Sequence, residues 1–481
     1  MRRIAVLLAT LAIWPIAAKA DELSDMKAAL SSAMGSIHAL QERVKVLEQE
    51  KHDKDATASI GVRKPRPPVV VVRPAVPPPL VTAAPVVAPD LKPIGPVPEA
   101  EKARLEIHGS VQLDAIYDIK KVNPNWEGTL RPSQIPVNCP PVGTDPGCGK
   151  NGVTNFNVRA SSLDIRGFLP TDAGEVTTRL AFDLWGGADD AQVRFRLTQA
   201  WASFGAWLFG YTDSMFMDGD IFPNVLDFWG PSGMIFVRDP QIRWTPWDAN
   251  GFKAMIGVEV PSAAIDEGKA ADIFRCTPGP PFPCFAPPLD VEARPRYPDI
   301  TGNVRAEGTW GHVQLAGVAR WVTFDNPPAV GSNPSGTVFG YGGNLTTLIK
   351  TFGDDSIKGQ FAIGKAIASY INDCCFDLAP NAAAPPAHAI ALPLIGWLVY
   401  YDHWWSKQWS SSIGFSQNIQ KNSPGQLSDA QNLGYYASVN LLWYPMQNVT
   451  LGVEGLWGER VNFDGAKAPD ERVQFSARVK F

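Results

Sequence analysis

The sequence predicts an all-β chain that crosses a membrane as an antiparallel up-and-down β-barrel of about sixteen strands. Three observations predict this fold class. Apolar and polar side chains alternate in runs of about ten residues, the length that a tilted strand needs to cross a bilayer. Long and short connections alternate between these runs, and the chain ends on an aromatic residue.

The composition agrees with strands and turns rather than with packed helices. The 481 residues include 42 Gly, 43 Pro and 16 Trp, and 45% of them are hydrophobic. Turn-forming residues between amphipathic runs are typical of all-β proteins. The net charge of -5 lacks the basic excess of nucleic-acid-binding proteins, so we expect no nucleic-acid partner.

Residues 1–20 have the pattern of a secretory signal peptide. A positive start, Met1-Arg2-Arg3, is followed by an apolar stretch and then by Ala18-Lys19-Ala20, whose small residues fit a cleavage site. The apolar stretch is short for a membrane span, although an uncleaved anchor helix is the alternative. We therefore expect export and cleavage before Asp21.

Residues 21–51 show the unbroken 3,4 spacing of a coiled-coil seam. The seam residues are Leu23, Met26, Leu30, Ala33, Ile37, Leu40, Val44 and Leu47. A lone helix of this length is marginal in water, so the pattern favours association of several chains over a single helix packed on a domain. The branched residues of the seam do not decide between a dimer and a trimer.

Residues 52–103 form a proline-rich linker. Twelve prolines lie between Pro65 and Pro98, a density that favours an extended and semi-rigid spacer. Such a spacer leaves the preceding helix nothing local to pack against. We expect the stalk 21–51 to lie at a distance from the domain that follows.

Residues 104–481 carry the predicted barrel. Seven short joins, such as Pro170–Gly174 and Tyr444–Asn448, alternate with long connections such as 119–154 and 212–235. An up-and-down barrel produces this alternation, whereas a Greek-key sandwich does not. The last run places Phe481 on the apolar side, similar to the signal by which outer-membrane barrels are recognised for assembly. We therefore expect lipid and the outer-membrane assembly machinery as partners.

The cysteines, histidines and motifs indicate no enzyme. All six cysteines fall in long connections, where they are candidates for disulfides: Cys139, Cys148, Cys276, Cys284, Cys374 and Cys375. We expect local pairs for the first four, and the pairing of the last two stays open because a bridge between neighbours is strained. Cys-x-x-Cys spacing, a clustered His set and catalytic signatures are missing from the sequence, so we expect no metal, cofactor or catalytic residue.

Arginines dominate the polar side of the predicted strands, which would face the lumen. The candidate pore-lining residues are Arg166, Arg179, Arg194, Arg196, Arg238, Arg243, Arg305 and Arg320. Arg238 has the parity of the apolar side, but Asp239-Pro240 is a candidate bulge that would turn it inward. Guanidinium groups stay charged and grip carboxylates bidentately, although each of them also has acidic residues on facing strands with which to pair.

The connection 212–235 is unusually apolar for a long loop. It contains Met, Phe and Trp side chains among acids, which would be costly to expose on an outer rim. We expect it to fold into the lumen as a constriction, with packing between subunits as the alternative. The residues we assign to it are Asp213, Phe216, Asp218, Asp220 and Asp227.

The order of parts and several motifs resemble the DcaP-like family of trimeric outer-membrane porins. The motifs are Gly109-Ser110-Val111-Gln112-Leu113-Asp114-Ala115, Pro170-Thr171-Asp172-Ala173-Gly174, Phe209-Gly210-Tyr211-Thr212, Leu226-Asp227-Phe228 and, most specifically, 230–243. The resemblance implies a homotrimer that takes up small anions, dicarboxylates in particular, through a lumen lined with arginines. Of the lumen arginines that the resemblance implies, Arg238 and Arg243 match the family's motif best by position.

The sequence thus predicts a porin of the Gram-negative outer membrane with its stalk in the periplasm. We expect passive diffusion of small anionic solutes through the arginine-lined lumen. One alternative is a structural tether that links the membrane to cell-wall peptidoglycan through the stalk. Others are a general non-selective porin, a barrel-borne hydrolase and a secreted soluble carbohydrate-binding protein.

Overall fold

The computed structural model describes residues 103–141, 143–149, 151–186, 193–260, 262–270, 291–325, 335–383 and 387–481. The predicted signal peptide, the coiled-coil stalk and the linker up to residue 102 lie outside the described residues. Cys276 and Cys284 also lie outside them.

Twenty strands and three short 3-10 helices lie in the described residues. The strands are β1 (Arg104–Asp118), β2 (Val153–Asn157), β3 (Ser162–Thr171), β4 (Gly174–Asp183), β5 (Arg196–Phe204), β6 (Trp207–Asp213), β7 (Arg238–Ala249), β8 (Phe252–Glu259), β9 (Glu292–Ala293), β10 (Asp299–Gly308), β11 (Gly311–Asp325), β12 (Gly336–Lys350), β13 (Ser356–Lys365), β14 (Leu378–Pro380), β15 (Ala389–Ala391), β16 (Pro393–Ser406), β17 (Trp409–Gln420), β18 (Gln431–Met446), β19 (Val449–Asn462) and β20 (Lys467–Lys480). The helices span Pro132–Gln134, Gly219–Ile221 and Ala368–Tyr370.

Sixteen long strands of this set close into one antiparallel barrel. They are β1, β3 to β8, β10 to β13 and β16 to β20, and each pairs with the next along the chain. The barrel closes where β1 pairs with β20, from Ser110↔Lys480 to Asp118↔Arg472. Strands β2 and β9 extend the pairing at one rim, and β14 and β15 form a separate hairpin. The predicted fold class and strand number are confirmed.

The two faces of the barrel wall differ as the sequence pattern predicts. On β1, Leu105 and Val111 are 65% and 60% exposed, whereas Gln112 and Asp114 on the opposite face are 0% and 1% exposed. Successive side chains of a strand point to opposite faces, so this alternation produces an apolar outside and a polar inside. The apolar outside is the surface that a bilayer would cover.

The connections between strands differ in length at the two ends of the barrel. At one end, every predicted short join is a tight turn between two consecutive barrel strands. Asn250 and Gly251 between β7 and β8 both have positive φ, 57° and 72°, the backbone that a two-residue hairpin turn requires. The long connections lie at the other end.

Aromatic side chains gather on the outer face near both ends of the strands. Trp207 stacks on Trp244 and Trp409 on Trp443 beside the short turns, with ring centroids 6.0 and 5.8 Å apart. Such girdles are typical of membrane–water boundaries. Trp201 departs from this pattern: a register shift opposite Thr198 puts it on the inner face, across from Arg179.

No helix within the described ranges is long and apolar enough to cross a membrane.

Candidate permeation pathway

The connection between β6 and β7, residues 214–237, runs through the inside of the barrel. We call it the inward loop. Its side chains Met215 and Phe216 are 1% and 0% exposed. The amide side chains of Asn303 and Asn344 donate hydrogen bonds to the carbonyls of Met215 and Phe216, each at 2.8 Å. Inward polar residues of the wall thus satisfy the loop backbone, which a buried connection requires.

The far part of the inward loop is fastened to the last strands of the barrel. Glu454 on β19 accepts hydrogen bonds from the backbone N–H of Leu226 and Asp227 at 2.8 and 3.0 Å. Gln474 on β20 donates to the carbonyl of Leu226 at 3.3 Å. The loop is therefore bonded to β10, β12, β19 and β20.

Two other long connections pack onto the inward loop. Thr129, between β1 and β2, donates to Asp227 at 2.8 Å. Between β13 and β16, Asn372 and Asp373 donate their backbone N–H to the carbonyls of Met234 and Ser232. The three connections are thus bonded to one another.

A cavity of about 750 Å³ remains between the inward loop and the wall formed by β1, β3 to β7 and β20. Its charged lining consists of Arg196, Arg238, Arg478 and Lys480 with Asp183 and Asp213. Four cationic side chains therefore face two carboxylates. Phe222, Phe228 and Trp229 of the inward loop form its apolar side.

Arg196 and Arg238 are bound to the two carboxylates in different ways. Arg196 makes a two-point contact with Asp183, at 3.0 Å through Nε and 2.6 Å through Nη2. Arg238 reaches Asp213 through Nε alone, at 2.9 Å. The Asp213↔Arg238 pairing is continuous and the register shift of β7 falls between Trp244 and Trp247, so the expected bulge at Asp239-Pro240 is wrong.

Two further candidate arginines share one carboxylate on the inner wall. Arg166 on β3 and Arg179 on β4 lie 3.0 and 2.9 Å from Oδ2 of Asp164. Their facing register positions explain the shared contact. This group carries one positive charge beyond its carboxylate.

Arg243 contacts the end of β6, where the inward loop begins, and Arg305 contacts the loop itself; neither lines the cavity. Arg243 donates to the carbonyl of Asp213 at 2.6 Å and to Gln241. Arg305 contacts Asp218 and Asp220 of the loop at 3.6 and 2.7 Å. Both arginines thereby support the loop from the wall.

Arg320 and Arg194 lie away from the cavity. Arg320 is 2% exposed and is held by Asp299 and Asp377 at 3.0 and 3.3 Å. The expectation that Arg320 lines the open lumen is therefore wrong, because long-range carboxylates enclose it. Arg194 is exposed beside β5, where its backbone bridges to Trp185.

The acids of the inward loop have different surroundings. Burial raises the pKa of Asp218, but hydrogen bonds from His312 and Thr346 outweigh it and hold that pKa below its ordinary value. Burial raises the pKa of Asp227 above its ordinary value, although Arg472 and several hydrogen bonds oppose the rise. Asp220 stays exposed.

One group of side chains in this region has metal-ligand chemistry. The ligand atoms of Asp218, Asp220 and His312 lie within 4.8 Å of one another. Arg305 already contacts both carboxylates, and His312 Nε2 lies 2.8 Å from Asp218. The guanidinium group takes the place that a cation would fill, so this group is not a candidate metal centre.

The disulfides lie in the long connections. Cys139 is bonded to Cys148, the expected local pair, and Cys374 is bonded to its neighbour Cys375. The neighbouring pair follows Asp373, which accepts hydrogen bonds from Arg131 and Ser133.

Sequence reasoning did not select Arg478 and Lys480 as site residues. Both lie on the polar side of the last strand. This position in the alternating pattern is the signal from which they could have been predicted as lumen residues. Both side chains line the cavity because β20 pairs with β1, which forms part of the cavity wall.

The comparisons with known proteins agree with this architecture. The model of the DcaP outer membrane protein family matches residues 90–268. The outer membrane channel DcaP of Acinetobacter baumannii superimposes with a TM-score of 0.64 at 17% identity, over 80% of this chain and 99% of that one.

More distant barrels are also similar. An anion-selective porin from Comamonas acidovorans matches with a TM-score of 0.46 at 12% identity, over 79% of this chain and 100% of that one. OmpF of Salmonella typhi matches with a TM-score of 0.47 at 9% identity, over 78% and 97%. The comparison with curated protein sequences gave no match. This chain therefore has the fold of a porin-like β-barrel, and its resemblance to the DcaP outer membrane protein family is confirmed.

Proposed function

We propose that this barrel is a passive channel for small anionic solutes, carboxylates in particular. The observation that carries the proposal is the charge of the cavity beside the inward loop. Arg196, Arg238, Arg478 and Lys480 face it against Asp183 and Asp213, an excess of two positive charges. A narrow, partly desolvated passage with this excess attracts anions and repels cations.

Arg238 is the side chain best placed to bind a solute. Within the described residues, its hydrogen bond to a carboxylate uses Nε alone, so its two terminal nitrogens remain for a carboxylate in the cavity. Asp213 is 41% exposed in its side chain, so solvent or solute can compete for this contact. Arg196 is more fully engaged by Asp183.

The inward loop narrows the passage on the side opposite the arginines. Phe222, Phe228 and Trp229 present apolar faces to the cavity. These rings reduce the water around a passing carboxylate and so strengthen its attraction to the guanidinium groups. A single carboxylate contact of moderate strength still allows the solute to leave.

The predicted seam supports association of several chains, and the resemblance to the DcaP-like family of trimeric porins supports three of them. We propose a homotrimer held together by the seam of residues 21–51, with the stalk on the periplasmic side. The end of the chain supports the assembly signal: the Phe481 backbone exchanges hydrogen bonds with Gly109, each 3.0 Å, and its ring is 61% exposed on the outer face.

The experiment is a liposome-swelling assay with succinate and with an uncharged sugar of similar size. Replacing Arg238 and Lys480 together by Gln should lower the succinate rate roughly tenfold, the effect of losing a charge-assisted hydrogen bond, and leave the sugar rate unchanged. Arg294→Gln, an exposed arginine outside the cavity, is the matched control. Equal loss of both solutes in the double variant would argue for a general, non-selective pore.

A further inference from the structure

Three carboxylates meet on the inner face where β7 begins, β8 ends and β10 begins. Glu259 is the register partner of Asp299, and Gln241, two residues after Asp239, is the register partner of Glu259. Asp239, Glu259 and Asp299 are 5%, 0% and 4% exposed. We call these three residues the acidic cluster.

The acidic cluster has too few cations around it. Within the described residues, the charged and titratable groups that face it are Arg243, Arg320, Tyr211, Tyr370 and Asp377. The three carboxylates of the cluster and Asp377 therefore share two guanidinium groups. One nitrogen of Arg320 contacts Asp377 instead of the cluster. A buried charge without a partner is costly, and carboxylates that share a site avoid the cost by keeping a proton.

The hydrogen-bond geometry also requires an additional hydrogen. The hydroxyl of Tyr370 lies 3.1 Å from Glu259 and 2.9 Å from Asp299, yet it has one hydrogen to donate. Oδ2 of Asp239 and Oε2 of Glu259 are buried and have no hydrogen-bond partner in the described part of the chain. Arg320 Nε is 3.0 Å from Asp299 but is not aligned as a donor.

One end of the inward loop is bonded to this cluster, and the other end is bonded to Tyr370, whose hydroxyl contacts the cluster. Ser214, the first residue of the loop, donates its hydroxyl to Glu259 at 2.5 Å. At the other end, Phe236 donates its backbone N–H to the carbonyl of Tyr370 at 3.0 Å. Arg238, which faces the cavity, directly precedes Asp239 in the chain.

We propose that Asp239, Glu259 and Asp299 share a proton at neutral pH, and that this proton keeps Tyr370 bonded to the cluster and so keeps the inward loop, which is bonded to Glu259 and Tyr370, against the wall. Loss of the proton at higher pH adds a negative charge without a counter-cation and removes a hydrogen bond. The loop ends then loosen, and the passage closes more often. The pH response is a regulation of the channel and so rests on the proposed function.

The test combines infrared spectroscopy with planar-bilayer recording on the full chain. The variants are Glu259→Gln and Asp239→Asn, and Asp172→Asn on an exposed turn is the matched control. Glu259→Gln keeps an acceptor for Ser214 and supplies a donor for Tyr370 without a charge. It therefore remains informative if Asp239→Asn does not fold.

At neutral pH the wild type should show the band of a protonated carboxyl that Glu259→Gln lacks and Asp172→Asn retains. Between about pH 5 and about pH 9, the closure frequency of the wild type and of Asp172→Asn should rise with pH, and Glu259→Gln should lose this rise. An unchanged band or an unchanged pH profile in Glu259→Gln would overturn the proposal. So would a wild-type response that EDTA produces at constant pH, because a bound cation would then hold the cluster.

The two proposals fail separately in this experiment. A barrel with the protonated carboxyl and the pH response but without anion preference refutes the proposed function alone. An anion-selective barrel with neither the band nor the pH response refutes the shared proton alone.

Discussion

Asp118 on the first barrel strand and Arg472 on the last form a fully buried ion pair across the seam where the barrel closes. The two residues are register partners, both side chains are 0% exposed, and Nη2 of Arg472 lies 3.0 Å from Oδ2 of Asp118. A buried charge that loses its partner is left uncompensated. The pair therefore makes closure of the sheet depend on residues 354 positions apart in the chain.

The Asp118–Arg472 pair gives the first prediction. Asp118→Ala should lower the free energy of unfolding in detergent by about 3–5 kcal/mol, because buried Arg472 loses its two-point contact with a carboxylate and keeps only the charges of Asp227 and Asp470 nearby. Glu106→Ala, which breaks the exposed Arg104–Glu106 pair on the same strand, should cost about 0–1 kcal/mol. Urea titration followed by the mobility shift of the folded barrel measures both. Equal costs would show that the seam pair does not stabilise closure.

The turn between β12 and β13 gives a pH prediction. Hydrogen bonds from Tyr401, the Trp404 backbone and His403 lower the pKa of Asp355 from 3.8 to about 2. A lowered pKa in the folded state means that the carboxylate stabilises the fold above pH 3.8 and that this contribution is lost as the pH falls toward 2.

Thermal melts of wild type and Asp355→Asn test this sign. The midpoint of the variant should lie below that of the wild type at neutral pH, and the difference should shrink below pH 3.8. Asp172→Asn, on another turn of the same end, should show no such difference at any pH. A difference for Asp355→Asn that grows on acidification would contradict the assignment.

The aromatic face of the inward loop gives a prediction about pore width. Phe222 lines the cavity and packs edge-on against Phe236, with ring centroids 5.7 Å apart. Phe222→Ala should raise the single-channel conductance, because the ring occupies space on the narrow side of the passage. Phe352→Ala, an 81% exposed ring on a short turn, is the control that should leave conductance unchanged. Unchanged conductance in Phe222→Ala would mean that the ring lies outside the conducting path.

A close backbone contact gives a prediction about the position of the loop. A Cβ added to Gly233 would lie 2.2 Å from the carbonyl oxygen of Gln417, and one added to Gly396 would lie 2.5 Å from the carbonyl oxygen of Gly233. Backbone atoms cannot yield by that much, so Gly233→Ala should displace the loop and make the current noisy. Gly343→Ala, whose Cβ meets nothing within 4 Å, should behave as the wild type. A quiet Gly233→Ala channel would show that the contact is dispensable.

The period of two along the strands was enough to predict the barrel, because one face of the barrel wall is apolar and points outward and the other is polar and points inward. The short turns were predictable from local sequence: Asn250-Gly251, for example, has the residues that a tight hairpin needs. Trp201 lies on the inner face because a single extra residue, Thr198, changes the parity of β5. Periodicity alone does not show such a shift.

The sequence pattern could not rank the arginines, because their partners are distant in the chain. Arg320 contacts Asp299, at the start of β10, and Asp377, in the long connection between β13 and β16. Arg478 and Lys480 become part of the cavity only when the last strand pairs with the first. The charge excess therefore depends on tertiary contacts that no local motif specifies.

Planar-bilayer recording of the wild-type barrel in a salt gradient tests the central claim most directly. The reversal potential should have the sign set by chloride, and replacing Arg238 and Lys480 by Gln should move it toward zero, because the cavity loses its excess of two positive charges. A wild-type reversal potential of the sign set by the cation would contradict the account.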